Sequence, residues 1–253
     1  MPAATNRLKA RLAAGDTVHG CWLGMAEPYL AEMAGTAGFD WLLIDGEHAP
    51  NDLRSISAQL AVLRGGPADA VVRVPVGEAW MIKQVMDAGA QSLMVPMVET
   101  GAQAQAIYEA TRYPGAGVRG IGSSLARASM FSDVADYLKT ADEQVCLILQ
   151  VESRKALENL DDILAVPADC VFVGPSDLAA DMGHLGGAGH PEVKAAVFDT
   201  LRRIRAAGKA AGVLTTDEAY IAEAKVAGAN FVGVGIDVLL YVQAMRSLAA
   251  RYK

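Results

Sequence analysis

Cysteine is scarce in this chain, which contains three among 253 residues and no C-x-x-C spacing. Cys21, Cys146 and Cys170 lie in or beside apolar runs, a placement that favours small buried thiols over disulfides or metal ligands. The sequence also lacks any run of about 18 apolar residues, and the polar segment 1–16 has no signal-peptide core. We therefore expect a cytoplasmic protein with no membrane partner.

Clustered basic charge is also missing. Lys and Arg number 22 against 29 Asp and Glu, which gives a net charge of −7, and the basic residues are scattered along the chain. Such a chain has no electrostatic footprint for nucleic acid. A negatively charged substrate would therefore have to be held locally, by an arginine, a metal ion or backbone N–H groups.

Several common catalytic motifs are absent. There is no P-loop, no H-E-x-x-H and no G-x-S-x-G, and the stretch GAGVRG (115–120) lacks the preceding strand that a dinucleotide site requires. No lysine falls where a (β/α)₈ barrel would place a Schiff-base residue. Chemistry through an enolate would then need a metal ion as the electron sink.

Eight short apolar runs alternate with longer amphipathic stretches. Their composition, rich in leucine and β-branched residues with little alternation, is typical of parallel strands covered on both faces. Helical stretches lie between them, one of them with a predicted N-cap at Asn51, and four end in Ala-Gly before a strand. The pattern and the length predict one (β/α)₈ barrel over residues 1–253. The runs span residues 20–25, 41–45, 70–75, 92–98, 146–152, 170–178, 211–216 and 231–235.

Two acids close consecutive predicted strands. Glu152 follows the fifth apolar run and Asp177 ends the sixth. The working residues of such barrels lie at the C-terminal ends of the strands, where this pair would repel unless a cation compensated it. Carboxylate ligands suit Mg²⁺ or Mn²⁺. The alternative is that both acids are solvated residues of the rim.

His48 and Arg73 are the other candidates for chemistry. His48 follows a strand end, with Asp45 three residues earlier to orient or polarise it, and an imidazole can move a proton at neutral pH. A simple polar contact is the alternative role. Arg73 stands within the apolar run AVVRVP, where a buried guanidinium needs an anion. That anion would be a substrate carboxylate or enolate oxygen, or else the carboxylate of an internal salt bridge.

Long segments of the chain resemble the metal-dependent pyruvate aldolases of the HpcH/HpaI family. The resemblance extends in order from about residue 20 to the last helix. It implies a barrel of the pyruvate-kinase-like type, assembled as a hexamer (a trimer of dimers) with the last helix exchanged between neighbouring subunits. The segments that carry it are GFDWLLIDGEHAPND, IKQVMDAGAQSLMVPMVE, RYPGAGVRGIGSSLARAS, LILQVE, VFVGPSDLAADMG and HPEV.

The resemblance also implies roles for single residues. Glu152 and Asp177 would bind the divalent metal ion, which would be Mg²⁺, Mn²⁺ or Co²⁺. The backbone N–H groups of Ser176 and Asp177 would hold the substrate carboxylate, and Gln150 would line the same pocket. Arg73 would stabilise the enolate oxygen.

Proton transfer at the aldol hydroxyl would fall to His48, helped by Asp45. Asp87 matches a family aspartate that partners the histidine, yet the pattern puts Asp87 at the end of a helix, on the opposite face of its own barrel. A contribution from a neighbouring subunit would remove that conflict.

The implied reaction is reversible retro-aldol cleavage of a 4-hydroxy-2-oxo acid through a metal-stabilised enolate. The products would be pyruvate (or hydroxypyruvate) and an aldehyde. We expect the aldehyde pocket to use Leu214, Thr215 and the 115–129 loop, with Arg119 or Arg127 available for an acidic aldehyde. A lyase for acyl-CoA thioesters of malate or citrate type and a non-catalytic metabolite-binding barrel are the alternatives.

Overall fold

Eight parallel strands close into a barrel in chain order in the computed structural model, which describes residues Met1–Lys253. Each strand pairs with its neighbours in sequence, and β1 pairs with β8 to complete the ring. The (β/α)₈ barrel predicted from the sequence is thereby confirmed. The strands are β1 (Val18–Leu23), β2 (Trp41–Asp45), β3 (Asp69–Arg73), β4 (Ser92–Val95), β5 (Cys146–Val151), β6 (Cys170–Val173), β7 (Ala210–Leu214) and β8 (Phe231–Ile236).

Helices surround the barrel and connect its strands. Short 3₁₀ turns at Arg127–Ser129 and Asp142–Gln144 interrupt the long connection between β4 and β5. The helices are α1 (Arg7–Ala13), α2 (Pro28–Gly35), α3 (Leu53–Leu63), α4 (Ala79–Asp87), α5 (Gly101–Ala110), α6 (Tyr137–Thr140), α7 (Arg154–Glu158), α8 (Leu160–Ala165), α9 (Pro175–Asp181), α10 (Pro191–Ala206), α11 (Glu218–Val226) and α12 (Asp237–Ala250). None of them is both long and apolar enough to cross a membrane.

Aromatic side chains fill the interior of the barrel. Trp41 stacks on Phe231 with ring centroids 4.1 Å apart, and Trp22 packs against Trp41 and Phe172 at 5.6 Å. Gly20 makes room for this layer, because a Cβ there would collide with the Trp41 ring. The barrel is therefore a packed core with no pore, and polar chemistry is confined to its ends.

The second and larger core lies between the strands and the helices that cover them. Ala-Gly sequences return the chain from helix to strand, as the sequence predicted. Gly38, Gly89, Gly208 and Gly228 all adopt positive φ values, between 79° and 113°, which glycine tolerates without steric cost. All three cysteines are buried and unbridged, so the prediction of small buried thiols is confirmed.

Two local predictions were wrong. The sixth apolar run does not continue as a strand to residue 178: β6 ends at Val173, and α9 begins at Pro175, whose fixed φ and missing N–H suit the first helical position. The N-cap of α3 is Asp52, whose carboxylate accepts the N–H groups of Arg54 and Ser55. Asn51 instead donates its side-chain amide to the carbonyl of Asp45 at 2.8 Å and so fastens this loop to the end of β2.

The last helix, α12, differs from the helices around the barrel because none of its residues is buried. Leu239, Leu240, Tyr241 and Met245 have exposed fractions between 50% and 56%. Apolar side chains in such a row normally lie against another surface. Within a single chain, α12 therefore carries an apolar face that is half exposed.

Candidate active site at the C-terminal ends of the strands

The polar residues predicted at the strand ends lie on one rim of the barrel. Asp45 and Arg73 end neighbouring strands and are partners in the β2–β3 register. Gln150 lies near the end of β5, with Glu152 just after it, and Asp177 lies in the first turn of α9, just beyond β6. Parallel strands bring these residues together because all their C-terminal ends face the same way.

A buried ion pair joins the ends of β2 and β3. Arg73 donates Nε to Oδ1 of Asp45 at 2.9 Å and Nη2 to Oδ2 at 2.6 Å, and both side chains are more than nine-tenths buried. Burial alone would raise the pKa of Asp45, but the hydrogen bonds and charge of Arg73 hold that pKa below its usual value. Breaking such a buried pair by removing one partner typically lowers the free energy of unfolding by about 3–5 kcal/mol. The two hydrogen bonds to Asp45 hold the Arg73 side chain in one position.

Arg73 therefore does form an internal salt bridge, the alternative role considered for it. That salt bridge does not use all the donors of the guanidinium. The guanidinium carries five N–H groups, and the pair with Asp45 takes two of them. Nη1 lies 2.9 Å from Oε2 of Glu47, and the guanidinium carbon lies 5.9 Å from the centre of the Trp22 ring. Arg73 thus sits on the aromatic layer with donors remaining for another anion.

Glu47 is a residue of the site that sequence reasoning did not single out. Its carboxylate lies between Arg73 and the ring of His48, whose Nε2 is 3.8 Å from Oε2. Partial burial raises the pKa of Glu47, and the nearby charges of Asp45 and Asp177 raise it further, against the opposing charge of Arg73. Its place two residues after Asp45 in the segment DGEH was the available signal.

His48 presents its ring to solvent. The side chain is 67% exposed, and the ring makes no hydrogen bond to Asp45. Asp45 instead accepts the backbone N–H groups of Glu47 at 3.0 Å and His48 at 3.3 Å, so it shapes the turn that carries the histidine. Asp45 would therefore assist His48 by positioning its backbone. The ring itself is exposed and accessible to a group from outside this chain.

Glu152 is the most deeply buried carboxylate of the rim. Its Oε1 accepts the backbone N–H of Met97 at 3.0 Å, and its Oε2 accepts the side-chain amide of Gln150. Met97 adopts a positive φ of 55°, a strained conformation for this residue type that turns its N–H toward the site. Burial, together with the charges of Asp177 and Glu47, raises the pKa of Glu152 to about 7.

Asp177 and Ser176 lie in the exposed first turn of α9. No side chain caps the N-terminus of this helix. The first N–H groups of a helix have no acceptor within the helix, so those of Ser176 and Asp177 remain available to an anion. Leu214, the last residue of β7, is partly buried against the aromatic interior.

The donor set of the rim fits a hard divalent cation. The carboxylates of Asp45, Glu47 and Glu152 all act on the guanidinium of Arg73, and Asp177 adds its charge beside Glu47 and Glu152. This excess of negative charge over the one guanidinium favours a bound cation. Oxygen donors alone select Mg²⁺, Mn²⁺ or a similar ion. Neither Glu152 nor Asp177 forms an ion pair within the chain, whereas Asp45 is already paired with Arg73.

The remaining predicted residues lie away from this rim. Asp87 ends α4, which runs from the rim to the opposite face of the barrel, and it pairs with Nη2 of the fully buried Arg119 at 2.6 Å. Arg127 donates to the carbonyls of Ala88 and Leu60. Within one chain, neither arginine contacts the strand-end residues, so a role with the aldehyde would require a neighbouring subunit.

A separate cavity of about 520 Å³ lies at the opposite end of the barrel, lined by residues such as Asn6, Arg64, Ser92 and Arg127. It includes none of the carboxylates of the rim. Its walls come from the N-terminal segment and from the returns that precede β3 and β4. The charged side chains that converge at the rim therefore mark the candidate active site, and this cavity lies apart from them.

Comparison with known proteins gives consistent matches over nearly the whole chain. The family model described as HpcH/HpaI aldolase/citrate lyase matches residues 19–244. A hydroxypyruvate/pyruvate aldolase from Roseovarius nubinhibens is 56% identical over 254 aligned positions, which cover 100% of this chain and 99% of the relative. A 2-keto-3-deoxy-L-rhamnonate aldolase from Salmonella gallinarum is 48% identical, covering 98% and 94% of the two chains.

A solved structure supports the same relationship. The crystal structure of an HpcH/HpaI aldolase/citrate lyase family protein from Burkholderia cenocepacia superposes with a TM-score of 0.94 at 40% identity. The match covers 98% of this chain and 99% of the other.

Gly174 offers a test of the packing that holds Glu152. A Cβ at this position would collide with Oε2 of Glu152 and lie 3.1 Å from the amide nitrogen of Gln150. Gly174→Ala should displace the carboxylate and weaken Mn²⁺ binding, measured by electron paramagnetic resonance, by about tenfold or more.

The matched control for this test is Gly235→Ala, at the end of β8, where the new Cβ meets only ordinary contacts of 3.4 Å and longer. Equal Mn²⁺ affinity in the two variants, with both folded, would contradict the role assigned to the Glu152 carboxylate.

Proposed function

This chain belongs to the HpcH/HpaI aldolase/citrate lyase family, and on that premise we propose that it is a metal-dependent aldolase, a carbon–carbon lyase. It cleaves 4-hydroxy-2-oxo acids to a pyruvate-type product and an aldehyde, and it catalyses the reverse addition. The observation that carries the proposal is the charged group at the strand ends, in which Asp45, Glu47 and Glu152 surround Arg73, and Asp177 lies beside Glu47 and Glu152. It combines ligands for a hard cation with a fixed positive charge.

Glu152 and Asp177 would hold the divalent ion. The ion would supply Lewis-acid polarisation of the 2-oxo group. Gln150 and Met97 would support this role by fixing both oxygens of the Glu152 carboxylate through hydrogen bonds. Such supporting contacts typically change metal affinity by about 10- to 100-fold.

Substrate binding would depend on two kinds of donor. The free N–H groups of Ser176 and Asp177, at the start of α9, would bind the substrate carboxylate. The remaining N–H groups of Arg73 would face the oxygen on C2, where negative charge develops as the C3–C4 bond breaks. Arg73 needs no rearrangement at that moment because Asp45 and Glu47 already hold it in place.

His48 would move the proton. Its exposed ring would remove the proton of the C4 hydroxyl, directly or through water; the C4 oxygen then becomes the carbonyl of the departing aldehyde, and the electrons of the C3–C4 bond pass to the oxo-acid fragment. Protonation at C3 would complete the pyruvate product.

The relatives narrow the choice of substrate class. Their names specify hydroxypyruvate or pyruvate in one case and a 2-keto-3-deoxy sugar acid in the other. We infer pyruvate or hydroxypyruvate as the nucleophile of the reverse reaction. Leu214 would contact the aldehyde, because it ends β7 on the same rim as the charged cluster.

We also propose that the functional unit is a homo-hexamer, a trimer of dimers, in which α12 packs on a neighbouring subunit. None of the apolar side chains of α12 is buried within the chain. Assembly would likewise explain Asp87, which Arg119 holds at an outer surface, while the exposed ring of His48 is accessible from outside. Asp87 of one subunit would then orient His48 of another.

The first experiment is pyruvate release from a 4-hydroxy-2-oxo acid by EDTA-stripped enzyme, before and after addition of Mg²⁺, Mn²⁺ or Co²⁺. We expect activity only after metal is restored, because Arg73 would stabilise the charge on the C2 oxygen only together with the Lewis acid that polarises the 2-oxo group. A folded protein that binds Mn²⁺ but releases no pyruvate with any metal would favour the thioester lyase or the binding protein.

The assembly is tested by charging the apolar face of α12. Leu240→Glu combined with Met245→Glu should lower the mass measured by light scattering, because two carboxylates would have to be buried at the interface. Gln243→Glu adds the same kind of charge at an exposed polar position of this helix and should leave the mass unchanged. A monomeric native protein, or an unchanged mass in the double variant, would rule out the proposed packing.

A further inference from the structure

A second group of potential metal ligands lies after α9, outside the charged cluster of the rim. It comprises His184, His190 and Glu192, two of which belong to the glycine-rich connection to α10. One nitrogen or oxygen from each side chain lies within 4.8 Å of the others. The two imidazole rings stack with centroids 3.7 Å apart, and Nε2 of His184 is 2.9 Å from Oε2 of Glu192.

Backbone hydrogen bonds hold this group in place without any ion. The N–H of His184 donates to the last turn of α9 at 2.7 Å, and the N–H of Gly187 donates to the carbonyl of His184 at 2.7 Å. The N–H of His190 then donates to Gly187 at 2.8 Å. His190 caps α10 and Glu192 lies in its first turn, so two of the three ligands are attached to a 16-residue helix.

The hydrogen bonds within this group leave lone pairs that a metal ion could use. Nδ1 of His190 accepts the N–H of Glu192 at 3.3 Å, so it carries a lone pair. This hydrogen bond is long, and a metal ion can replace it at little cost.

We propose that His184, His190 and Glu192 form a second divalent metal site, which takes a borderline ion of the Zn²⁺ type. Two imidazoles and one carboxylate are ligands that zinc prefers, and three protein ligands leave a fourth position for water. Ligand atoms in a tetrahedral zinc site lie about 3.3 Å apart, given bonds of about 2.0–2.1 Å. Side-chain rotations that move the ligand atoms by an ångström or two would reach that arrangement.

The two sites differ in the ions that they select. The strand-end site offers oxygen donors and suits Mg²⁺ or Mn²⁺, whereas the site on the loop offers nitrogen donors that these hard ions bind weakly. A Zn²⁺ ion here would connect the end of α9 to the start of α10 and would restrain the loop that follows Asp177. Binding to the folded chain alone would raise its melting temperature.

The test is the number of Zn²⁺ ions bound per chain, measured by isothermal titration of the EDTA-treated full-length protein in the presence of excess Mg²⁺. We expect His184→Ala and His190→Ala to bind one Zn²⁺ fewer than the native protein, or to bind it at least about tenfold more weakly. His19→Ala removes a half-exposed histidine elsewhere and should keep the native number.

Cu²⁺ gives an independent readout, because its paramagnetic resonance spectrum should show coupling to two imidazole nitrogens that is lost in either variant. Equal Zn²⁺ stoichiometry and affinity in all four proteins would overturn the proposal and assign the bound zinc to the strand-end carboxylates. Pyruvate release with Mg²⁺ should be unchanged in His184→Ala. Zinc stoichiometry does not depend on that activity, so the two proposals fail separately.

Discussion

The fixed position of Arg73 among the carboxylates of Asp45, Glu47 and Glu152 is the constraint on which the rest of the site depends. Its two-point pair with Asp45 joins β2 to β3, and its contact with Glu47 extends the charged network toward His48. Glu152 and Asp177 form no ion pair, and burial together with the charge of Asp177 raises the pKa of Glu152. The protein thus pairs Asp45 and Glu47 with its own cation, and the proposed divalent ion would compensate the other two carboxylates.

The aromatic interior of the barrel and the loops at its rim both hold these charged side chains in place. Trp22, Trp41, Phe172 and Phe231 close the interior, so the charged residues rest on an apolar floor where electrostatic interactions are strong. Gly174 allows α9 to begin close to Glu152, and Met97 gives a backbone N–H to the same carboxylate. The fold thereby presents donors for charge at the strand ends before any substrate binds.

Much of this could be predicted from the sequence, because eight apolar runs and the acids that follow them determine both the barrel and its working end. Contacts between side chains were harder to predict. Glu47 was not predicted as a site residue, because His48 beside it is the more obvious candidate for chemistry. The turn after β2 directs the carboxylate of Asp45 to the backbone N–H of His48 and not to its ring, and the sequence does not specify that geometry. The strand predicted through residue 178 ends at Val173 because Pro175 begins a helix. Asp87 pairs with Arg119 away from the rim and α12 has no buried residue, so the roles proposed for both depend on a neighbouring subunit that the sequence pattern does not describe.

The central claim is that Arg73 stabilises negative charge on the 2-oxo oxygen of a pyruvate-type substrate. The most direct test is exchange of the methyl protons of pyruvate for deuterium in D₂O, followed by nuclear magnetic resonance with Mn²⁺- or Mg²⁺-loaded enzyme, in the native protein and in Arg73→Lys. The account predicts exchange in the native protein and a rate about 100- to 1,000-fold lower in the variant, with metal affinity retained. Equal exchange rates in two folded, metal-loaded proteins, or no exchange in the native one, would contradict it.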